Sequence, residues 1–106
     1  MTNIEAADKA VLAASYVADA LRRTKQGRAA ISCLKESASL ARSVGTSARR
    51  ARAAAERASD ARCEVSQAAH DIVDDAETDA VVIAAIAAKQ AEGLAWSEYT
   101  RLLDRA

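Results

Sequence analysis

The chain has 106 residues with 15 Lys/Arg balanced by 15 Asp/Glu, two cysteines, three glycines and no proline. That length fits one domain spanning residues 1–106, and the zero net charge argues against the basic excess of most nucleic-acid-binding domains. Twenty-nine alanines beside only 19 Val/Ile/Leu, with no Phe, set the class: alanine is the best helix former and the strongest helix breaker is missing, so the expectation is an all-α fold with a thin core.

A first helix is expected from about Asn3 to Lys25. Thr2 and Glu5 have the spacing of a capping box, in which each side chain satisfies an orphan amide of the other residue. Its larger apolar residues, Ile4, Val11, Leu12, Tyr16, Val17 and Leu21, recur at helical steps around a broad stripe completed by alanines. Gly27 suits the residue just past the helix end. A second helix, about Arg28 to Val44, carries a seam of Ile31, Leu34, Ala38 and Ala41 for antiparallel packing. Gly45 should end it, and Thr46 or Ser47 should cap the next, giving an up-down-up path.

The third helix is expected from Ala48 to about Glu77. Ala48, Ala51, Ala55, Ala58, Val65, Ala69, Ile72, Val73 and Ala76 share one face with Arg62 in its midst, while acids and Gln67 share the opposite one. Asp74 to Thr78 also reads as a new helix start, since acids suit a helix N-terminus. The fourth helix then presents Val82, Ile83, Ile86 and Ala87 on one side. Beyond Gly93, the residues Trp96, Tyr99, Leu102 and Leu103 fall about 180° away on the same wheel, so Gly93 is expected to break or kink the helix ahead of a short fifth one. The architecture is thus an antiparallel bundle of four main helices with a short C-terminal fifth.

Charge is unevenly distributed along this bundle. Residues 22–62 carry eleven Lys/Arg against three acids, and residues 63–80 carry six acids and no base, a pattern that suggests binding or self-pairing. Arg49, Arg50 and Arg52 fall in the first turns of the third helix, where the helix dipole disfavours cations, and Arg57 and Arg62 extend the basic segment. Such a face can grip carboxylates or phosphates through bidentate guanidinium contacts. Solvated arginines, or arginines paired with nearby acids, are the structural alternative. Glu56, Asp60, Glu64, Asp71, Asp74 and Asp75 form an acidic stripe that could dock on a basic protein groove or simply solubilise the helix. Trp96 and Tyr99 would either cap the core or anchor a partner.

Chemistry finds little to work with. His70 is the only histidine, and Gln67 stands three residues before it where a di-iron bundle would have Glu, so a metal-binding bundle is a remote alternative. No glycine-rich loop supplies an oxyanion or phosphate cradle, and neither cysteine has an identifiable base with an orienting partner. Cys33 and Cys63 lack metal-type spacing and are expected as small buried thiols, a bridge between them needing a register shift. Met1 is followed by no basic flank and no apolar run, and the longest apolar stretch, residues 80–88, is too short for a membrane span.

The expected function is therefore non-enzymatic, with no cofactor, in the cytoplasm. A small helical adaptor, inhibitor or immunity-type regulator, of a kind common among phage and plasmid products, would occlude or recruit a larger protein, with a homodimer as a further option. A nucleic-acid-associated protein using the Arg49–Arg62 segment is the second reading, since arginines there could neutralise phosphates.

Overall fold

The computed structural model describes residues 1–70 and 75–105, with side chains described from Asp79 onward in the last helix. The described residues form five helices: α1 (Asn3–Ser15), α2 (Ala18–Leu21), α3 (Lys25–Arg42), α4 (Ala48–His70) and α5 (Asp75–Arg105). Four of them build an elongated antiparallel bundle with extents of 47 × 23 × 17 Å, and α2 is a single turn at one end. Helix α1 packs on α3 and α5, and α4 packs on the same two.

Local signals explain most boundaries. Thr2 caps α1 by accepting from the Glu5 amide at 3.1 Å, and Gly45, at φ +54°, supplies the left-handed turn after α3. Ser47 then caps α4 by accepting from the Arg50 amide at 3.2 Å.

The first helix is shorter than expected. It ends at Ser15, whose hydroxyl bonds back to the Leu12 carbonyl at 2.6 Å, and Val17 leaves helical geometry at φ −119°, ψ 22°. The chain restarts as α2, turns through Arg22 and Arg23, and enters α3 at Lys25 with Thr24 as its cap, accepting from the Gly27 amide at 2.9 Å. Gly27 therefore does not close a helix. It is the third residue of α3, and it lets α3 press against the carbonyl of Leu21: a Cβ there would stand 1.7 Å from the Leu21 oxygen.

Gly93 does not break the chain into separate helices, because α5 runs unbroken from Asp75 to Arg105. Of its buried residues, Val81, Ala84, Ala88, Ala91, Ala95 and Leu102 follow alternating steps of three and four, with Glu98 at the one skipped position and Ala87 buried beside them. That is a period near 3.5, and it keeps one face inward over the whole length.

The same steps recur at Ala7, Ala10, Ala14 and Val17, and at Ala51, Ala54, Ala58, Ala61, Val65 and Ala68. The core is thus built mostly of methyl groups, with Leu21, Val65 and Val81 its largest fully buried side chains. Alanine seams allow close helix approach, so dispersion between backbones and methyls replaces bulky side chains.

The consequence is an inversion. Of the residues expected to share one apolar side, Val82, Ile83 and Ile86 are 45%, 61% and 64% exposed while Ala87 is buried, and Leu12 of α1 and Tyr16 just past its end are 56% and 80% exposed. The alanine register, not side-chain size, decides which face turns inward. No helix among the described residues is long and apolar enough to cross a membrane.

Candidate contact surfaces

The start of α4 gathers Arg49, Arg50 and Arg52 on exposed positions beside the Gly45 turn. Arg50 reaches back to the Ser43 carbonyl at 3.4 Å, and Arg52 pairs with Glu56 at 2.9 Å along the same helix. Arg49 makes no ion pair among the described residues. No acid stands in this first turn, so the cationic corner coincides with the positive end of the helix dipole.

Arg57 and Arg62 do not join that corner. Arg57 turns toward α3, where it meets Glu36 at 2.7 Å, and it also holds Asp60 at 3.4 Å. Arg62 turns the other way, to Glu92 of α5 at 2.8 Å. The five arginines thus divide between one end of α4 and its two opposite flanks. Arg62, placed by its spacing amid the apolar stripe, lies at the stripe's edge, where its half-exposed guanidinium bridges α4 to α5.

The acidic stripe is partly consumed by the same pairs. Glu56 and Asp60 are exposed but engaged by Arg52 and Arg57, and Glu64 is half-buried. Asp71 and Asp74, and the side chain of Asp75, lie outside the described residues. Further ion pairs join Arg42 of α3 to Asp8 of α1 at 2.5 Å and Arg101 to Glu98 within α5. The Arg101 guanidinium holds the Glu98 carboxyl below its ordinary range, since it stabilises the ionised form.

Trp96 and Tyr99 sit half-buried on α5 with ring centroids 5.9 Å apart in an edge-to-face arrangement. Trp96 packs on Ala55, Ala58 and Ala95, and its indole N–H donates to the Ser59 hydroxyl at 2.9 Å. Tyr99 packs on the cluster of Val44, Ala51, Ala54 and Leu102. Both aromatics therefore cover the end of the bundle where the α3–α4 turn lies.

Cys33 is buried and Cys63 exposed, and both are free thiols, so only one of the pair is the small core residue expected. Burial pushes the Cys33 thiol up, opposed in part by the nearby Arg57 charge. His70 is exposed at the end of α4, and among the described residues no group of three or more His, Cys, Asp and Glu is placed to hold a metal. A crevice of about 70 Å³ opens between α1 and α3, lined by Val11, Ala14, Ile31 and Leu34 with Arg22 and Lys35 at its mouth. That is below the range of about 300–1,000 Å³ for organic-ligand pockets, whereas two more open surface clefts, one beside Arg22, Arg28 and Lys35 and one beside Ile4 and Leu94, reach about 370 and 410 Å³.

The surface that side-chain type alone did not reveal is apolar. Helix α1 runs antiparallel to α5, with Ile4 lining a shallow cleft with Leu94 and Ser97. Equal rise per residue then sets Tyr16, twelve positions further along α1, near the level of residue 85 on α5. Ile83 lies three turns from Leu94 on the α5 edge that faces α1, and Ile86 and Val82 continue outward from it. Leu12, Tyr16, Ile83, Ile86 and Val82 therefore occupy neighbouring outer positions toward the same end of the bundle. The signal that could have found this face is the 3.5-residue alanine period, which assigns Val81, Ala84 and Ala88 inward and so turns Val82 and Ile86 outward.

Compared with known proteins, the chain matches no family model, no curated protein and no solved structure.

Proposed function

We propose that the protein acts by protein contact, as a small helical adaptor, inhibitor or immunity-type regulator that occludes or recruits a larger protein. One observation carries the reading: the core closes on alanine seams while Leu12, Tyr16, Val82, Ile83 and Ile86 remain outside it. Apolar groups of this size in one region of a surface mark interaction sites, and tyrosine is among the residues that dominate binding energy. The contact face thus centres on α1 and the first half of α5, with Arg49 and Arg50, which no carboxylate engages among the described residues, as a separate cationic surface for an acidic region of the partner.

The ion pairs favour this reading over nucleic acid. Arg52, Arg57 and Arg62 each face a carboxylate within 3 Å, so phosphate contacts there would have to displace an existing partner. The test is affinity capture from host lysate after exhaustive nuclease digestion, at two salt concentrations, with wild type and a Leu12→Asp/Tyr16→Asp variant. The expected result is a stoichiometric protein retained by the wild type and lost by the variant. Binding that disappears with nuclease, falls steeply with salt and requires Arg50 and Arg52 would assign the arginine corner to nucleic acid instead.

A further inference from the structure

The outer face of α5 has an internal symmetry that the bundle itself does not use. Along it stand Asp79, Val82, Ile86 and Lys89, all exposed, with Ile83 at the edge toward α1. The order is acid, aliphatic, aliphatic, base, centred on the level of Ala84. When a helix meets its own copy antiparallel about a two-fold axis at that level, residues equally far above and below the axis come opposite each other. Val82 then meets the copy of Ile86, and Asp79 stands at the level of the copy of Lys89, within the reach of a lysine stem.

Neither Asp79 nor Lys89 makes an ion pair among the described residues, so both charges are available. Size agrees with the pattern. The exposed parts of Val82, Ile83, Ile86, Leu12 and Tyr16 amount to roughly 600 Å², at the upper end of what a monomer leaves open and most of the ~800 Å² per partner of a standard interface. With an axis crossing α5, the neighbouring α1 helices lie on the same side and extend the contact through Leu12 and Tyr16.

We propose that this face of α5 binds a second copy of the chain, antiparallel about the level of Ala84, with Val82, Ile83 and Ile86 at its centre and Asp79 facing Lys89 of the partner subunit. The proposal rests on the same exposed side chains as the contact reading, so a second copy and a larger protein would compete for this face. A monomeric wild type would end the dimer and leave the contact reading untouched, whereas a dimer that captures no other protein would end the contact reading and leave the dimer standing.

Sedimentation equilibrium of the full chain tests it, at about 100 μM, well above the micromolar dissociation constants of weak dimers. The wild type is expected at twice the 11.1 kDa chain mass. Ile86→Glu should give a monomer, and Asp79→Lys and Lys89→Asp should each weaken the dimer by about tenfold, because each sets like charges opposite one another twice per dimer. Asp79→Lys combined with Lys89→Asp should restore it, since the exchange recreates both pairs. Far-UV circular dichroism should be unchanged throughout, as every altered position is exposed. A monomeric wild type, or a dimer indifferent to Ile86→Glu, would overturn the proposal. Dissociation by both single charge changes without recovery in the double variant would overturn the antiparallel pairing.

Discussion

Gly27→Ala and Gly93→Ala are the same chemical change in two α-helices, yet the structure gives them opposite signs. An alanine at an ordinary helix position is favoured over glycine by about 1 kcal/mol. At position 93 nothing lies within 4 Å of the added methyl, so the full gain should appear and raise the thermal midpoint by roughly 4–8 °C for a domain of this size. At position 27 the new Cβ would stand 1.7 Å from the Leu21 oxygen, 2.5 Å from its carbonyl carbon and 2.8 Å from its Cα.

All three atoms are backbone, so no side chain can swing aside. The α2–α3 turn must open by more than 1 Å, at an overpacking cost of about 1–3 kcal/mol. Opening it also disturbs the Thr24 cap, worth about 1 kcal/mol. Less the propensity gain, Gly27→Ala should destabilise by about 1–3 kcal/mol, lowering the midpoint by roughly 4–24 °C. Thermal unfolding followed at 222 nm, at equal chain concentrations, reads both variants. Midpoints that move together, in either direction, would refute the close approach of α3 to Leu21.

Three further outcomes are expected. In the native protein one thiol, that of Cys63, should react rapidly with a disulfide reagent and Cys33 only on unfolding, because Cys33 is buried and its thiolate disfavoured; two fast thiols would contradict that packing. Ser59→Ala should cost about 1 kcal/mol in denaturant unfolding by stripping the indole N–H of Trp96 of its acceptor, and no loss would mean the bond contributes nothing. The folded-state pKa of Glu98 is depressed by Arg101, so this pair stabilises the fold above the unfolded glutamate value of about 4.3 and ceases to as pH falls through the folded value. Arg101→Ala should therefore lose stability near neutral pH and show a shallower decline between about pH 6 and pH 3; an unchanged acid limb would refute the pairing.

What the sequence made legible were features with local causes. The Thr2 cap, the Gly45 turn, the Ser47 cap and the seam through Leu34, Ala38 and Ala41 each follow from residues a few positions apart. The errors arose where tertiary contact overrides a local preference. Gly27 reads as a helix terminator because nothing in sequence announces that Leu21 will lie against it, and α1 reads as continuous to Lys25 because alanines flank the break at Tyr16 and Val17. On α5, side-chain size does not decide which residues face inward. Val82, Ile83 and Ile86 outweigh Ala84 and Ala88 on any hydrophobicity scale, but only the alanines, with Val81, continue at a 3.5-residue period as far as Leu102.

That inversion also changes which residues carry the argument about function. The basic and acidic blocks suggested a protein that binds through charge, yet in three dimensions much of that charge is committed internally. Arg42 ties α3 to α1, Arg57 ties α4 to α3, and Arg62 ties α4 to α5. A core of methyl groups fixes helix orientation only weakly, since alanine knobs interdigitate less deeply than leucines, and flanking ion pairs between neighbouring helices oppose rotation about the helix axes. Their partners are Asp8, Glu36 and Glu92, so none of these three ties draws on the acidic block of residues 63–80. What the bundle leaves uncommitted is the Arg49 corner and the aliphatic face of α1 and α5. Exposing isoleucines and a tyrosine carries a risk of aggregation unless a partner covers them, and the core gains nothing from their remaining outside. Leu12, Tyr16, Val82, Ile83 and Ile86, more than the arginines and aspartates, are therefore the side chains on which the proposed contact would rest.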